Sequence, residues 1–155
     1  MKNLEAFRYK RRLDGLFQKI RTLPDDLELQ AQWARYLCVL VAGFLETSIS
    51  AIYTQYARDC AAPNVARFVA TRLTWFTNPN MEKMLQLTRS FNKEWGDTLE
   101  RQTEGETKNA IDSICNNRNL IAHGRDTGIS FARISGYYQE AVKLVEMIER
   151  QCAGQ

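Results

Sequence analysis

Apolar positions recur every three to four residues along nearly the whole chain, and that period predicts helices. Residues 4–22 place Leu13, Leu16, Phe17 and Ile20 on one face. A second helix, from about 24 to 60, opens with Pro24, Asp25, Asp26 and Glu28, the proline and acids that suit a first turn. It runs on through Leu37, Leu40, Val41, Phe44, Leu45, Ser48 and Ile52. Around its middle the whole circumference is apolar, so neighbours must cover it on more than one side.

Pro63 and the cluster Asn78-Pro79-Asn80 punctuate the middle of the chain. Between and after them, VARFVATRLTWF and MEKMLQLTRSF read as shorter helices, with another around 94–102. The polar stretch RQTEGETKN leads into a helix near 106–123 that carries Ile111, Ile114, Cys115 and Ala122 on one side. Gly124 is placed to follow the end of that helix. Ser130 can cap a last helix striped by Ile134, Tyr137, Tyr138, Ala141, Val142, Val145 and Ile148. No segment alternates with period two. The expected fold is an all-α, antiparallel helical bundle forming a single domain over residues 1–155.

Composition adds little to this picture. The 155 residues are 45% hydrophobic and 25% charged, ordinary for a globular chain with one sizeable core. Cys38, Cys60, Cys115 and Cys152 are dispersed, with no C-x-x-C pair, and read as reduced, mostly core thiols. The charged N-terminus lacks the apolar centre of a secretory signal. The most apolar run, YLCVLVAGFL at 36–45, has about half the length of a membrane span. The expectation is a cytoplasmic protein with no membrane partner.

Charge is unevenly placed. Residues 1–23 hold seven Lys/Arg against Glu5 and Asp14, whereas the remainder holds 14 against 16, so the net +3 comes from the first segment. A basic amphipathic helix there can touch phosphate or a membrane surface, but such a charge run is more often a solvated face.

The stretch NNRNLIAHGRDTG at 116–128 contains the one histidine, His123. In the last turn of a helix, before a glycine, a histidine complements the negative end of the dipole and needs no chemistry. Arg118 is harder to dismiss. It shares the stripe of Ile111, Cys115 and Ala122, where aliphatic carbon is expected, and a half-buried guanidinium calls for a carboxylate or phosphate. Asn119 and His123 are four apart and share a face, but Arg118 and His123 lie about 140° apart. One continuous helix cannot aim both at one atom without fraying near Gly124, whereas a second chain related by a two-fold could. Glu46, which interrupts the apolar helix after ten apolar residues, reads as an ion-pair partner for an arginine.

The pattern Arg118-Asn119-Leu120-Ile121-Ala122-His123 resembles the signature of the HEPN superfamily, small helical domains of which many are metal-independent ribonucleases. NRNLIAHG with its following loop, VLVAGFLETSI at 39–49 and FTNPNMEKMLQLTRSFNKEW at 76–95 are similar to the RiboL-PSP type in particular. The resemblance covers residues 30–152, and the basic helix at 1–23 is less distinctive. It implies a composite site at a homodimer interface and an acidic residue of the second helix near the motif arginine, here Glu46 with Arg118.

Metal-free RNA cleavage uses the 2′-hydroxyl as nucleophile and leaves a 2′,3′-cyclic phosphate and a 5′-hydroxyl. Imidazole suits the proton steps because its reference pKa of about 6.5 keeps both forms available. Guanidinium suits the phosphorane because its fork donates two hydrogen bonds. His123 is therefore expected to transfer protons, Arg118 to stabilise phosphate, and Asn119 to orient histidine or ribose, with Glu46 in support. A single histidine per chain leaves the second proton carrier to a second chain. No cofactor is expected: there is no Walker sequence, H-E-x-x-H or glycine-rich loop. Ser48, Ser50 and Ser113 are alternative hydroxyl nucleophiles, but none sits in an elbow-like sequence. The resemblance implies a toxin or anti-phage effector acting on RNA, restrained by an antitoxin or an associated defence protein. The competing readings are a non-catalytic HEPN module that binds RNA or a protein, and a structural bundle with His123 as a helix-end residue.

Overall fold

The computed structural model describes residues 1–23 and 26–154, and those residues form seven helices and no strand. They are α1 (Leu4–Arg21), α2 (Leu27–Cys60), α3 (Pro63–Leu73), α4 (Met81–Phe91), α5 (Lys93–Thr103), α6 (Glu106–Ala122) and α7 (Phe131–Ala153). Local chemistry sets several of the starts. Asn3, Asp26, Asn80, Asn92 and Ser130 each accept backbone N–H groups of the turn they open, which satisfies donors that a helix leaves orphaned. Pro24 and Asp25, expected in the first turn of α2, lie outside the described residues.

α2 is the axis of the bundle. Its Leu37, Cys38, Val41, Phe44, Leu45, Ile49 and Tyr53 are fully buried, and it packs against α1, α3, α6 and α7, as an all-round apolar helix requires. By length and composition it could cross a bilayer, but its apolar surface is used inside the bundle. α1 runs antiparallel to α7. The Lys2 and Asn3 N–H groups donate to Glu149 near one end (2.7 and 2.6 Å), and Tyr138 donates to Asp14 at 2.8 Å near the other. Phe17 and Tyr138 stack between them at 4.7 Å. α4 is pinned to α2 by the stacked Tyr53 and Phe91 rings, 4.3 Å apart, and by the buried Tyr53 hydroxyl donating to Thr88.

The predicted elements differ from the observed ones mainly at ends. α3 stops at Leu73, so Thr74, Trp75 and Phe76 form a connection. The start of RQTEGETKN belongs to α5, and only Glu104 and Gly105 separate it from α6. The four thiols are free. Cys38 and Cys115 are buried, Cys152 is half-buried and Cys60 is exposed, so the core expectation fails for Cys60 at the end of α2.

Candidate functional site

α6 carries the motif. Ile111, Ile114 and Cys115 bury against the core, with the Cys38 thiol donating to the Ile114 carbonyl at 3.7 Å. Past Cys115 the helix runs off the core edge. Arg118 is half-buried, whereas Asn119, Ala122 and His123 are exposed, so Ala122 does not continue the buried stripe as expected.

The end of α6 is not frayed. The N–H of Gly124 donates to Ile121 O (3.0 Å) and that of Arg125 to Leu120 O (2.8 Å), with Gly124 at φ 66°. This is a Schellman motif, and glycine fits its left-handed position without a Cβ penalty. His123 caps the helix with near-helical dihedrals, φ −96° and ψ 14°. Arg118 and His123 therefore keep their angular separation, and the two side chains make no hydrogen bond to one another. The loop that follows is tied to α2 by the Arg35–Asp126 ion pair and by buried Ile129. The Arg35 guanidinium, helped by the Gly128 and Thr127 N–H groups, holds the Asp126 carboxyl below its ordinary value.

The expected ion pair between Glu46 and Arg118 is not formed. Glu46 instead accepts the backbone N–H of Asn78. The reason lies in the Asn78 backbone, which has φ 41° and sits outside any helix, leaving its N–H without a ladder partner. Asparagine tolerates this left-handed conformation better than most residues, and the surroundings hold it there. The Asn78 side-chain N–H donates to Asn119 Oδ1 at 2.7 Å, and its carbonyl accepts from the Cys115 thiol at 3.4 Å. Glu46, Asn78 and Asn119 thus form one hydrogen-bonded chain from α2 across the connection into α6. The Asn78 side-chain oxygen is buried without a partner.

By its sequence Asn78 reads as punctuation only. The usable signal was an Asn-Pro step inside a segment that already resembled the family. The structure thus brings together Asn119 and Glu46 through Asn78, and leaves the Arg118 guanidinium and the His123 imidazole without hydrogen-bond or ion-pair partners among the described residues. Arg118 is felt by Cys115: burial pushes that thiol up, and the charges of Lys83 and Arg118 oppose the shift. Tyr9 of α1 stands close enough to sense Glu46, Arg12 and Tyr36; its burial raises the phenol, Arg12 lowers it, and Glu46 and Tyr36 raise it.

The hydroxyl candidates fare differently. Ser48 is wholly buried in the core, out of reach of an exposed His123, while Ser50 and Ser113 make no hydrogen bond to it. Among the described residues no three His, Cys, Asp or Glu side chains converge as a metal-ligand set.

The arrangement suits a polyanion: an unpaired guanidinium, an exposed imidazole and an amide fixed from behind. Comparison with curated proteins and with solved structures gives no match. A family model does match, RiboL-PSP-HEPN, over residues 5–154. With nearly the whole length matched and an all-helical fold, the chain belongs to the RiboL-PSP-HEPN family, whose HEPN-type domains are often ribonucleases.

Proposed function

We propose that the protein is a metal-independent endoribonuclease whose active site is shared by two copies of the chain. The observation that carries the reading is Arg118: half-buried, its guanidinium without an ion pair or hydrogen bond among the described residues, and on the same helix end as the exposed His123. A guanidinium left this way is poised for an external anion, and the planar fork fits two phosphate oxygens. The 2′-oxygen attacks the adjacent phosphorus while one His123 takes its proton. The bond from phosphorus to the 5′-oxygen breaks, and the His123 of the second chain gives a proton to that leaving oxygen. Arg118 stabilises the charge that builds on the phosphorane, and Asn119, held by Asn78, positions the ribose or the imidazole.

Two histidines are needed because one chain supplies one. Tyr36 and Val39, 46% and 39% exposed, stand on α2 between Arg35, which anchors the loop after His123, and Glu46, which anchors Asn78. That apolar strip beside the motif is the surface a second chain would cover. Toxin or anti-phage activity, with an antitoxin or defence protein as its restraint, is the role this chemistry would serve in the cytoplasm.

The test is cleavage of mixed-sequence RNA by the purified protein in excess EDTA, beside His123→Ala prepared identically. Cleavage to 2′,3′-cyclic phosphate ends that is absent from the variant supports the proposal. Recovery of activity on mixing His123→Ala with Arg118→Ala supports a shared site. The second reading, a non-catalytic module, draws on the His123 imidazole, which no hydrogen bond among the described residues fixes in one tautomer. RNA binding without cleavage in the parent would select it.

A further inference from the structure

Beyond Glu46 the outward face of α2 changes character. Thr47, Ser50, Thr54 and Arg58 line one wall of a groove of about 620 Å³, and Glu5 and Arg8 of α1 stand on the other. Several helical hydroxyls elsewhere in this chain bond back to a carbonyl one turn earlier, as at Thr71, Thr88, Ser90, Thr103 and Ser135. Among the described residues those of Thr47, Ser50 and Thr54 find no hydrogen-bond partner, and the Arg8 and Arg58 guanidiniums find neither a hydrogen bond nor a carboxylate. The groove therefore presents three hydroxyls and two guanidiniums without internal partners, opposed by the single carboxylate of Glu5.

Along α2 the groove begins at Thr47, the residue after Glu46, which anchors Asn78. From Thr47 to Arg58 the wall extends about 16 Å, enough for several consecutive phosphates. No aromatic ring lines it, so it offers nothing on which bases could stack.

We propose that this groove holds the sugar–phosphate backbone of single-stranded RNA as it leaves or approaches the motif on α6. Arg8 and Arg58 engage phosphate oxygens, Thr47, Ser50 and Thr54 donate to phosphate or ribose, and the contacts carry no base sequence. The inference rests on the RNA-directed reading above, but it concerns binding rather than cleavage.

The experiment measures fluorescence anisotropy of a labelled oligouridine RNA, with His123→Ala as the background so that the probe stays intact. Affinity is followed over a salt series. Arg8→Ala/Arg58→Ala is expected to weaken binding at least about tenfold and to flatten the slope of log affinity against log salt by about 1.4, two contacts at roughly 0.7 each for a single strand. Arg67→Ala, on α3 and outside the groove lining, should change neither. Equal affinity and slope in the double variant, or no RNA binding by the parent background, overturns the groove. Parent protein that fails to cleave yet binds through Arg8 and Arg58 retains the groove and removes the nuclease. Cleavage that depends on His123, with binding indifferent to both arginines, does the reverse.

Discussion

The side-chain amide of Asn78 donates to Asn119 Oδ1 at 2.7 Å, joining a residue of the α3–α4 connection to the middle of the arginine–histidine motif. Asn78 reaches that position only because its backbone is left-handed, with its N–H held by Glu46. Replacing it by glycine keeps the backbone conformation accessible and removes the amide alone. Asn78→Gly is expected to lower kcat for RNA cleavage about tenfold, equivalent to about 1.4 kcal/mol in the barrier, with KM little changed. An unaltered kcat would mean that Asn119 needs no support.

Glu46 can act as a hydrogen-bond acceptor or as a charge, and two substitutions separate these roles. Glu46→Gln keeps an oxygen for the Asn78 N–H, while Glu46→Ala leaves a part-buried donor unpaired at a cost of about 1–3 kcal/mol. We expect Glu46→Ala to lose both thermal stability and cleavage, and Glu46→Gln to retain cleavage within about tenfold. A loss of 10²–10⁴ in Glu46→Gln would instead give Glu46 a proton-transfer role.

Tyr53 and Thr88 form a buried relay. The phenol donates to Thr88 Oγ1, which donates to the Met84 carbonyl, at 2.8 and 2.9 Å. Thr88→Val preserves shape and strands the phenol, so it should cost about 1–3 kcal/mol. In a chain of this length each kcal/mol lowers Tm by about 2–4 °C. Tyr53→Phe/Thr88→Val should cost less than the two single changes summed, as measured by chemical denaturation; strict additivity would show that the pair is not coupled.

Stability should also depend on pH through Glu140. This buried α7 carboxylate is raised by its burial, but the Lys143 ammonium and the Thr107 hydroxyl outweigh that and hold it below the ordinary glutamate value. A carboxyl depressed in the folded state contributes stability that is fully present above its unfolded value, about 4.3, and is lost as the pH falls through the folded value beneath it. Glu140→Gln removes the titration. The Tm gap between parent and Glu140→Gln should be widest near neutrality and close below about pH 4. A gap that is constant with pH would show that Glu140 contributes by packing alone.

By itself the sequence determined the helices and their faces. Apolar spacing marked α1, α2 and α7 almost to their ends, and Ser130 and Gly124 stand at boundaries that residue type marks, whereas Asp26, expected inside the first turn of α2, is its N-cap. Those features rest on interactions within one or two turns, which residue order fixes directly. The motif residues Arg118, Asn119 and His123 were legible for the same reason, since they are neighbours on one helix end.

Partner choice was decided only in three dimensions. Glu46 accepts the Asn78 N–H, which is freed by a left-handed turn that spacing does not reveal. Asn78 meets Asn119 across 41 residues of sequence, and the Thr47–Arg58 face meets Arg8 across a similar span. Which polar groups end up satisfied, and which are left open to a ligand, depends on how the packed helices bring distant donors and acceptors together. In this protein that packing secures Glu46 and leaves the Arg118 guanidinium without a partner among the described residues.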